Sequence, residues 1–220
     1  HLQGGFYRYS VDHSWMIPHF EKMLYDQAMF LWVYSVAYGI FKKEEYKVVA
    51  QKVMQCLSDT FEEDGLYWSA HDADTDHEEG ATYLWRMDEI RKVLSPEELN
   101  TFSEVYILSD IGDLKGGAHV IKRKNMFLPE LDKKLLEIRR QRPQPFVDKK
   151  IVTSWNALVG IAYVYAYRFL GERDALKKAE LLFDRLLQKH FVTGKIAHCS
   201  LGSALHEQEF LSDAAALLLF

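Results

Sequence analysis

The sequence predicts an all-α protein built from helical hairpins that form a toroid or barrel, with short β-hairpin loops at one rim. Three segments carry this prediction because each opens with a polar turn and continues almost wholly apolar: residues 18–41, 152–170 and 206–220. A helix that is apolar around its whole circumference has to be buried, so these segments predict inner helices. The segments 44–63 and 172–190 each carry one charged face and predict an outer layer.

The alternation of inner and outer helices is typical of a double-layered helical barrel, while a plain bundle or a solenoid is the alternative. Gly171 ends one inner segment where a left-handed residue is usual, which predicts consecutive hairpins. If the inner helices are parallel, their polar starts meet at one rim. Their helix dipoles then favour anionic or oxygen-rich ligands there.

The region between the two hairpins is irregular. Turn-forming residues fill 64–85, a helix is predicted at 86–94, and Ser95 begins a capping-box pattern that predicts another. A Gly-rich loop at 108–127 with one strand at 119–122 precedes a charged helix at 129–142. We expect this long excursion to fold over the rim, where functional loops lie.

Composition excludes several classes of protein. At 220 residues and 48% hydrophobic, the chain can bury a core as a single domain over residues 1–220. Its net charge of −5 offers no basic stripe for nucleic acid. No uncharged apolar run reaches the roughly 18 residues of a membrane span, and no signal-peptide pattern opens the chain. The cysteines, Cys56 and Cys199, are solitary, which fits a reduced compartment, and we expect a cytoplasmic protein without a membrane partner.

The first inner segment concentrates titratable side chains at its start. Pro18 is suited to a first helical turn and predicts that the helix begins there. On that helix His19, Lys22 and Asp26 would share one sector, and Glu21 and Tyr25 another stripe. The alternative is an ordinary ion pair between Lys22 and Asp26 beside a histidine with a structural hydrogen bond.

Five carboxylates fall within eight residues at Asp72, Asp74, Asp76, Glu78 and Glu79. An EF-hand is excluded, because His77 and Tyr83 stand where that loop needs glycine and glutamate. The open alternatives are a turn with solvated acids, rim carboxylates that act as acid or base or grip sugar hydroxyls, and a different cation site.

The second inner segment opens with Thr153 or Ser154 as a helix cap, followed by Trp155 and Asn156. An indole and an amide at a barrel mouth suit a ligand that stacks and hydrogen-bonds, although Trp155 could equally pack in the core.

At the third start, Glu209 and Asp213 would share a helix face, where like charges raise one pKa and give an acid and a base. A metal site made from His198, Cys199, His206 and Glu209 is the weaker alternative, because these spacings are irregular. We expect no metal and no cofactor.

Three blocks resemble the signature blocks of a family of thioredoxin-domain-containing proteins that includes spermatogenesis-associated relatives in animals: HLQGGFYRYSVDHSWMIPHFEKMLYDQA, SAHDADTDHEEGATYLW and VDKKIVTSWNALVGIA. The resemblance implies an amino-terminal thioredoxin-like domain fused to a six-hairpin (α/α) barrel, the architecture of glycosidases and of N-acylglucosamine 2-epimerase. The chain would then be the central part of that barrel. The thioredoxin-like domain, which would be its partner, and the closing hairpins would lie outside it.

The resemblance also implies a carbohydrate-related pocket with a small-molecule saccharide ligand and epimerase, isomerase or glycosidase-like acid–base chemistry. Proton transfer would fall to His19, Asp26, Asp72, Asp74 and Glu209. The residues expected to hold the ligand are Tyr7, Arg8, Tyr9, Trp15, Glu21, Lys22, Tyr25, Trp155, Asn156 and Asp213. The alternative function is a noncatalytic barrel that binds ligands or clients for the thioredoxin-like domain.

Overall fold

The computed structural model describes residues 4–108, 117–118, 120–122, 124 and 126–220. The chain divides into two compact units. The first unit contains the described residues up to Glu21 and those from His71 to Phe146, and the second contains Lys22–Ala70 and Val147–Phe220. Most of the predicted Gly-rich loop at 108–127 lies outside the described residues. A single domain over residues 1–220 stays a prediction.

The described residues form α-helices in both units. Numbered in chain order, they are α1 (Leu24–Phe41), α2 (Glu44–Cys56), α3 (Met87–Val93), α4 (Pro96–Val105), α5 (Pro129–Arg140), α6 (Thr153–Leu170), α7 (Arg173–His190) and α8 (Leu211–Leu219). Helices α3 to α5 belong to the first unit, and the others belong to the second.

Helices α1 and α6 of the second unit lie side by side and run in the same direction. The rings of Tyr25 and Trp155 meet at their starts, with centroids 4.9 Å apart. Further along, Trp32 and Tyr165 meet at the same centroid distance of 4.9 Å. Because both contacts advance together along the chain, the two amino-terminal ends lie at the same rim.

Helix α8 continues this parallel arrangement on α6. The backbone N–H of Ser154 reaches Asp213 near the starts of the two helices. Gly160, further along α6, lies against the ring of Phe220 just beyond α8. The starts of α1, α6 and α8 therefore converge within the second unit, as the sequence predicts for inner helices.

The outer helices α2 and α7 each bury one face, as their patterns predict. Ala50 and Val53 of α2 are fully buried, and so are Leu182 and Leu186 of α7. Helix α2 is shorter than predicted, because the chain passes into a π-helical turn at Leu57–Phe61. Gly171 has a φ of 77° and ends α6 in the predicted left-handed conformation.

Complete burial of the inner helices, which the sequence predicts, is wrong for α1 and α8. Ile40 on α1 is 66% exposed and Leu218 on α8 is 89% exposed. Helix α6 lies between these two helices and buries most of its circumference. The outward sides of α1 and α8 are apolar. Among the described helices of the second unit, none covers these sides as α1 and α8 cover α6.

Close packing between α1 and α6 depends on Gly39. A Cβ atom at this position would lie 2.3 Å from Cδ1 of Phe169, well inside van der Waals contact. We expect Gly39→Ala to lower the free energy of unfolding by about 1–3 kcal/mol through overpacking, although alanine is the better helix former. Urea unfolding followed by circular dichroism measures this. An increase in stability would show that α1 and α6 separate at no cost.

Short strands connect the helices of the second unit. They are Lys22–Met23, Glu62–Glu63, Leu66–Tyr67, Val147–Asp148, Ile151–Val152, Phe191–Val192, Lys195–Ile196, Cys199–Leu201 and Ala204–His206. The strand Ala70–His71 stands where the chain passes from the second unit to the first. Strand Ile151–Val152 pairs antiparallel with Cys199–Leu201, which pairs with Ala204–His206.

The predicted helix starts at Pro18 and at 206 are both wrong. Pro18 lies in the strand Pro18–His19, and α1 begins only at Leu24, whose N–H donates to Ser69 O. His206 lies in a strand, and α8 begins at Leu211. Strand pairing supplies backbone hydrogen bonds to the segments that contain Pro18 and His206. These bonds to other parts of the chain override the local helix propensity.

The first unit holds the strands Tyr9–Ser10, Pro18–His19, Asp74–Thr75, Glu78–Glu79, Tyr106–Leu108 and Val120–Lys122. The predicted capping box is confirmed: Glu98 N–H donates to Ser95 Oγ, and Ser95 N–H donates to Glu98 Oε2. The predicted strand near 119–122 is the described strand Val120–Lys122, which pairs with Tyr106–Leu108. Helices α3, α4 and α5 pack around a core that includes Trp85, Phe102 and Leu135.

Candidate active site

An aspartate–histidine pair stands where α6 and α8 begin. Asp213, in the first turn of α8, is completely buried, and its Oδ2 lies 2.7 Å from His198 Nδ1. Its Oδ1 accepts a hydrogen bond from the Ser154 N–H at 3.0 Å. One carboxylate therefore fixes the His198 ring and also satisfies one of the free N–H groups at the start of α6.

The other ring nitrogen of His198 remains available to a ligand. With Nδ1–H donated to the carboxylate, Nε2 carries the lone pair and is the basic atom of the ring. Nε2 has no hydrogen-bond partner among the described residues, and the side chain is 32% exposed. Phe210 packs against the ring at a centroid distance of 4.5 Å. The arrangement can take a proton from a ligand at Nε2 and return it.

The strands beside α6 place this histidine. His198 N–H donates to His206 O, and His198 O accepts from Thr153 N–H. The hairpin Cys199–His206 thereby holds His198 beside the first residue of α6. The predicted cap by Thr153 or Ser154 is wrong, because neither side chain caps the helix. The Asp213 carboxylate bonds the Ser154 N–H in their place.

Thr153 serves instead in a buried network with His190. Its hydroxyl donates to Ala197 O and so accepts from His190 Nδ1–H, at 2.7 Å. His190 Nε2 then accepts from Ser200 Oγ, at 2.9 Å. The His190 ring is neutral in this network, and burial lowers its pKa to about 4.

We expect this histidine to weaken the fold in acid. Below its ordinary pKa of 6.5 the unfolded chain binds a proton that folded His190 refuses until about pH 4. Stability therefore falls as the pH drops from 6.5 to 4, by up to about 3 kcal/mol from this residue. Urea unfolding at pH 7.0 and 4.5 should show a smaller acid loss for His190→Gln than for the wild type. His206→Gln, at an exposed histidine, is the control, and equal losses in all three proteins would contradict the assignment.

Two predicted aromatic ligand contacts meet at the starts of α1 and α6. Tyr25 and Trp155 form an edge-to-face pair with an interplanar angle of 71°, and both remain partly exposed. Trp155 directly follows Ser154, whose N–H binds Asp213. The aromatic pair and the aspartate–histidine pair therefore belong to the same set of helix starts. Asp26, the predicted proton carrier on α1, follows Tyr25 in the first helical turn.

Asn156, a predicted ligand contact, is completely buried and bound within the chain. Its Oδ1 accepts from the Tyr67 N–H, and its Nδ2 donates to Tyr67 O and to Val152 O. These bonds hold the strand Leu66–Tyr67 against α6 as a neighbouring strand would. Asn156 thus has a structural role in this arrangement.

The predicted acid–base pair of Glu209 and Asp213 on one helix face is wrong. Glu209 precedes α8, so it cannot share a face of that helix, and its carboxylate lies 3.8 Å from Lys195 Nζ. The shared sector of His19, Lys22 and Asp26 is wrong for the same reason, because only Asp26 lies on a helix. Lys22 is a buried strand residue.

In the first unit, His19 lies between two carboxylates. Its Nδ1 is 3.0 Å from Glu79 Oε1, and its Nε2 is 3.6 Å from Glu21 Oε2. Arg8 Nη1 lies 2.7 Å from the same Glu21 oxygen. The sequence gives no signal that Glu79 lies beside His19. The two residues are 60 positions apart, and the fold of the acidic loop brings them together.

The acidic loop forms a tight hairpin. Asp74–Thr75 pairs with Glu78–Glu79, and both turn residues, Asp76 and His77, have positive φ as in a type I′ turn. Asp72 and Asp74 are exposed, and the Asp74 N–H bonds Asp72 Oδ1 at 3.4 Å. Their predicted catalytic role stays a prediction.

The predicted aromatic contacts of the first unit differ in burial. Tyr7 packs edge-on against Phe20 and Tyr83 in a core cluster. Tyr9 and Trp15 are exposed and lie at and beyond the end of a strand. Tyr7 therefore has a packing role here, while Tyr9 and Trp15 are free to contact a ligand.

A separate cleft of about 280 Å³ lies within the first unit, lined in part by Thr75, Thr82, Glu89 and Arg142. Arg142 donates to the carbonyl oxygens of Thr82 and Leu84 and so fixes one wall. Among the described residues, no group of three or more His, Cys, Asp or Glu side chains has an arrangement that could hold a metal ion. No helix in the described part of the chain is long and apolar enough to cross a membrane.

The chain is similar to known proteins from a mammal and from a bacterium. The chain is 32% identical over 222 residues to spermatogenesis-associated protein 20 of Rattus norvegicus, covering 81% of this chain and 28% of that protein. It is 38% identical over 69 residues to cellobiose 2-epimerase of Bacteroides fragilis, covering 30% of this chain and 18% of the epimerase. No protein-family model matches the chain.

A solved structure supports the fold. The crystal structure of a sugar epimerase from a ruminal bacterium matches 90% of this chain and 33% of its own, with a TM-score of 0.51 and 15% identity. This likeness confirms the predicted class of (α/α) helical hairpins. The accompanying thioredoxin-like domain stays a prediction. The chain spans under a third of the length of the rat relative, although the similarity covers most of this chain.

Proposed function

We propose that the second unit binds a saccharide at the starts of α1, α6 and α8 and transfers a proton on it. The observation that carries this proposal is the buried Asp213 carboxylate, which holds a partly exposed His198 through Nδ1 and leaves Nε2 as its basic nitrogen. The similarity to cellobiose 2-epimerase and the fold shared with a sugar epimerase support a sugar as the ligand.

The aromatic pair supplies the binding surface. Sugar rings present C–H faces that stack on indole and phenol rings, and Tyr25 and Trp155 are partly exposed beside the aspartate–histidine pair. Three helix starts point at the same rim, so their dipoles favour oxygen-rich ligands and the negative charge that forms when a proton leaves carbon.

The chemistry that fits is isomerisation or epimerisation beside the carbonyl of an open-chain sugar. His198 Nε2 takes the proton from the carbon next to the carbonyl, the C–H electrons form a C=C bond, and the carbonyl π electrons move onto oxygen to give an enediolate. Return of the proton to the same carbon on the opposite face gives the epimer. Return to the former carbonyl carbon, with a proton moving between the two oxygens, gives the isomer. Asp26 on α1, a predicted proton carrier, is the candidate for the second group.

Solvent deuterium tests this proposal. The full chain is incubated in D2O with cellobiose, glucose, mannose and N-acetylglucosamine, and NMR follows loss of the C2 proton and any hydrolysis. We expect His198→Gln to slow the exchange by at least about 100-fold, since this is the usual contribution of a general base.

His206→Gln is the matched control, because His206 is an exposed histidine whose ring lies 6.3 Å from that of His198. It should leave the exchange rate within about threefold of the wild type, as expected away from the base. Equal exchange by the His198 variant, or neither exchange nor hydrolysis of any sugar, would refute the proposal. Binding without turnover would favour the noncatalytic alternative.

A further inference from the structure

A rigid loop in the first unit displays a tryptophan to solvent. The Asp12 carboxylate organises this loop: Oδ1 accepts from Ser10 Oγ and from the N–H groups of Met16 and Ile17, and Oδ2 accepts from the Ser14 N–H. The distances lie between 2.7 and 2.9 Å. Four donors on one side chain fix the connection between the strands Tyr9–Ser10 and Pro18–His19.

Trp15 lies within this loop in a conformation that bulky residues rarely adopt. Its φ is 57°, and the residue is 82% exposed. Such a backbone costs about 1–3 kcal/mol and persists only where the surroundings impose it, often at ligand clamps. Because the exposed indole gains little from packing, core stability does not explain why a tryptophan stands here.

A second aromatic ring on the same hairpin is also held in place. Tyr9 is 52% exposed and stacks on His19, with centroids 4.7 Å apart and planes 22° from parallel. His19 is in turn held between Glu79 and Glu21. Arg8 binds Glu21, so a row of polar groups runs beside the stacked rings.

The chemistry around the two rings selects the ligand. The charges nearby are already engaged with one another, and the carboxylates of Glu21 and Glu79 disfavour the phosphates of nucleic acids or anionic lipids. Two exposed rings of about 150–250 Å² each are too small for a stable protein interface of about 800 Å² per partner. They match the faces of one or two sugar rings.

We propose that the hairpin from Tyr9 to His19 is a second binding site, which takes a neutral carbohydrate chain by stacking it on Trp15 and Tyr9. The carboxylates of Glu21 and Glu79 have acceptor positions beyond their ion pairs and can accept hydrogen bonds from its hydroxyl groups. The site lies in the first unit and does not depend on the proton transfer proposed for His198. It gives the protein a contact with oligosaccharides that requires no reaction.

Isothermal titration of the full chain with cellopentaose, maltopentaose and pentagalacturonate tests this site. We expect at least one neutral pentasaccharide to bind, with Trp15→Ala weakening the affinity by at least about tenfold and Trp15→Tyr by less. Asp12→Asn, which loosens the loop and keeps the indole, should also weaken binding. Phe146→Ala is the control, because Phe146 is 73% exposed in the same unit outside the hairpin.

Three outcomes would overturn the proposal. They are no binding of a neutral pentasaccharide up to about 10 mM, an affinity of Trp15→Ala equal to that of the wild type, and an equal loss in the Phe146 control. Stronger binding of pentagalacturonate would replace the neutral ligand with an acidic one and would also overturn it. The titration compares Trp15→Ala with the wild type, while the deuterium exchange compares His198→Gln with the wild type, so failure of this site and failure of the proposed proton transfer are distinguished.

Discussion

Asp213→Asn is expected to reduce deuterium exchange at the sugar C2 position by about 10²–10⁴-fold, the range of a lost general base. The Ser154 N–H keeps the amide oxygen on its side, so the amide nitrogen faces His198 Nδ1. An amide N–H can only donate there, which forces the imidazole proton onto Nε2 and removes the basic lone pair. NMR in D2O measures the rate.

The control for this variant is Asp174→Asn, which changes an exposed aspartate paired with Lys177 on α7. It should exchange deuterium at the wild-type rate. If Asp213→Asn also keeps the wild-type rate, the carboxylate does not set the protonation of His198, and the site is elsewhere. A rate lowered equally in both variants would point to a general effect of charge.

Removing the Asp213 side chain altogether should also weaken the fold. Asp213→Ala leaves the buried Ser154 N–H without its acceptor and breaks a charge-assisted contact to His198. A loss of about 1–3 kcal/mol in the free energy of unfolding is expected, because a buried N–H donor is left unsatisfied. Urea unfolding at pH 7 gives the value, and a loss below about 0.5 kcal/mol, the effect of an ordinary surface change, would contradict the buried role.

Asn156→Ala is the second substitution with a large expected effect, about 3–5 kcal/mol of stability, because several buried polar groups lose their partners. It removes three hydrogen bonds at once and leaves the buried N–H and C=O of Tyr67 without side-chain partners. Asn156→Asp is expected to fall short of the wild type as well, because a carboxylate cannot donate to the two carbonyl oxygens.

Ser35→Ala provides the comparison for Asn156. Ser35 is also completely buried on a helix, but it makes one hydrogen bond, to Leu31 O within its own helix. Its loss should cost about 1 kcal/mol. If the two alanine variants unfold at the same urea concentration, the contact between Asn156 and the Tyr67 strand contributes nothing beyond an ordinary hydrogen bond.

The bodies of the helices were predictable because their signals are local. The apolar run of α6, its glycine stop at Gly171 and the capping box at Ser95 lie within a few turns of the residues they govern. The structure confirms all three. The parallel approach of α1 and α6 is left open by the sequence, which predicts a shared rim only if the inner helices are parallel.

The starts of α1 and α8 were not predictable in the same way. Pro18–His19 pairs with Tyr9–Ser10, and Ala204–His206 pairs with Cys199–Leu201. The hydrophobic periodicity of these short segments does not predict such pairing. The partnership of His198 with Asp213 depends on the hairpin between them. The sequence indicates His198 only as a possible metal ligand. It contains no local signal that pairs this histidine with Asp213.

The position of Asp213 also determines where the chain can be shortened. A protein ending after residue 200 would contain the whole of α6 and α7, yet the N–H of Ser154 would lose its acceptor. The self-sufficient module is therefore not the hairpin of α6 and α7 alone. The stable module extends across the next strand pair to the first turn of α8. This helical hairpin therefore depends on the start of the next one, and a cut between the two hairpins removes a contact that the first of them needs.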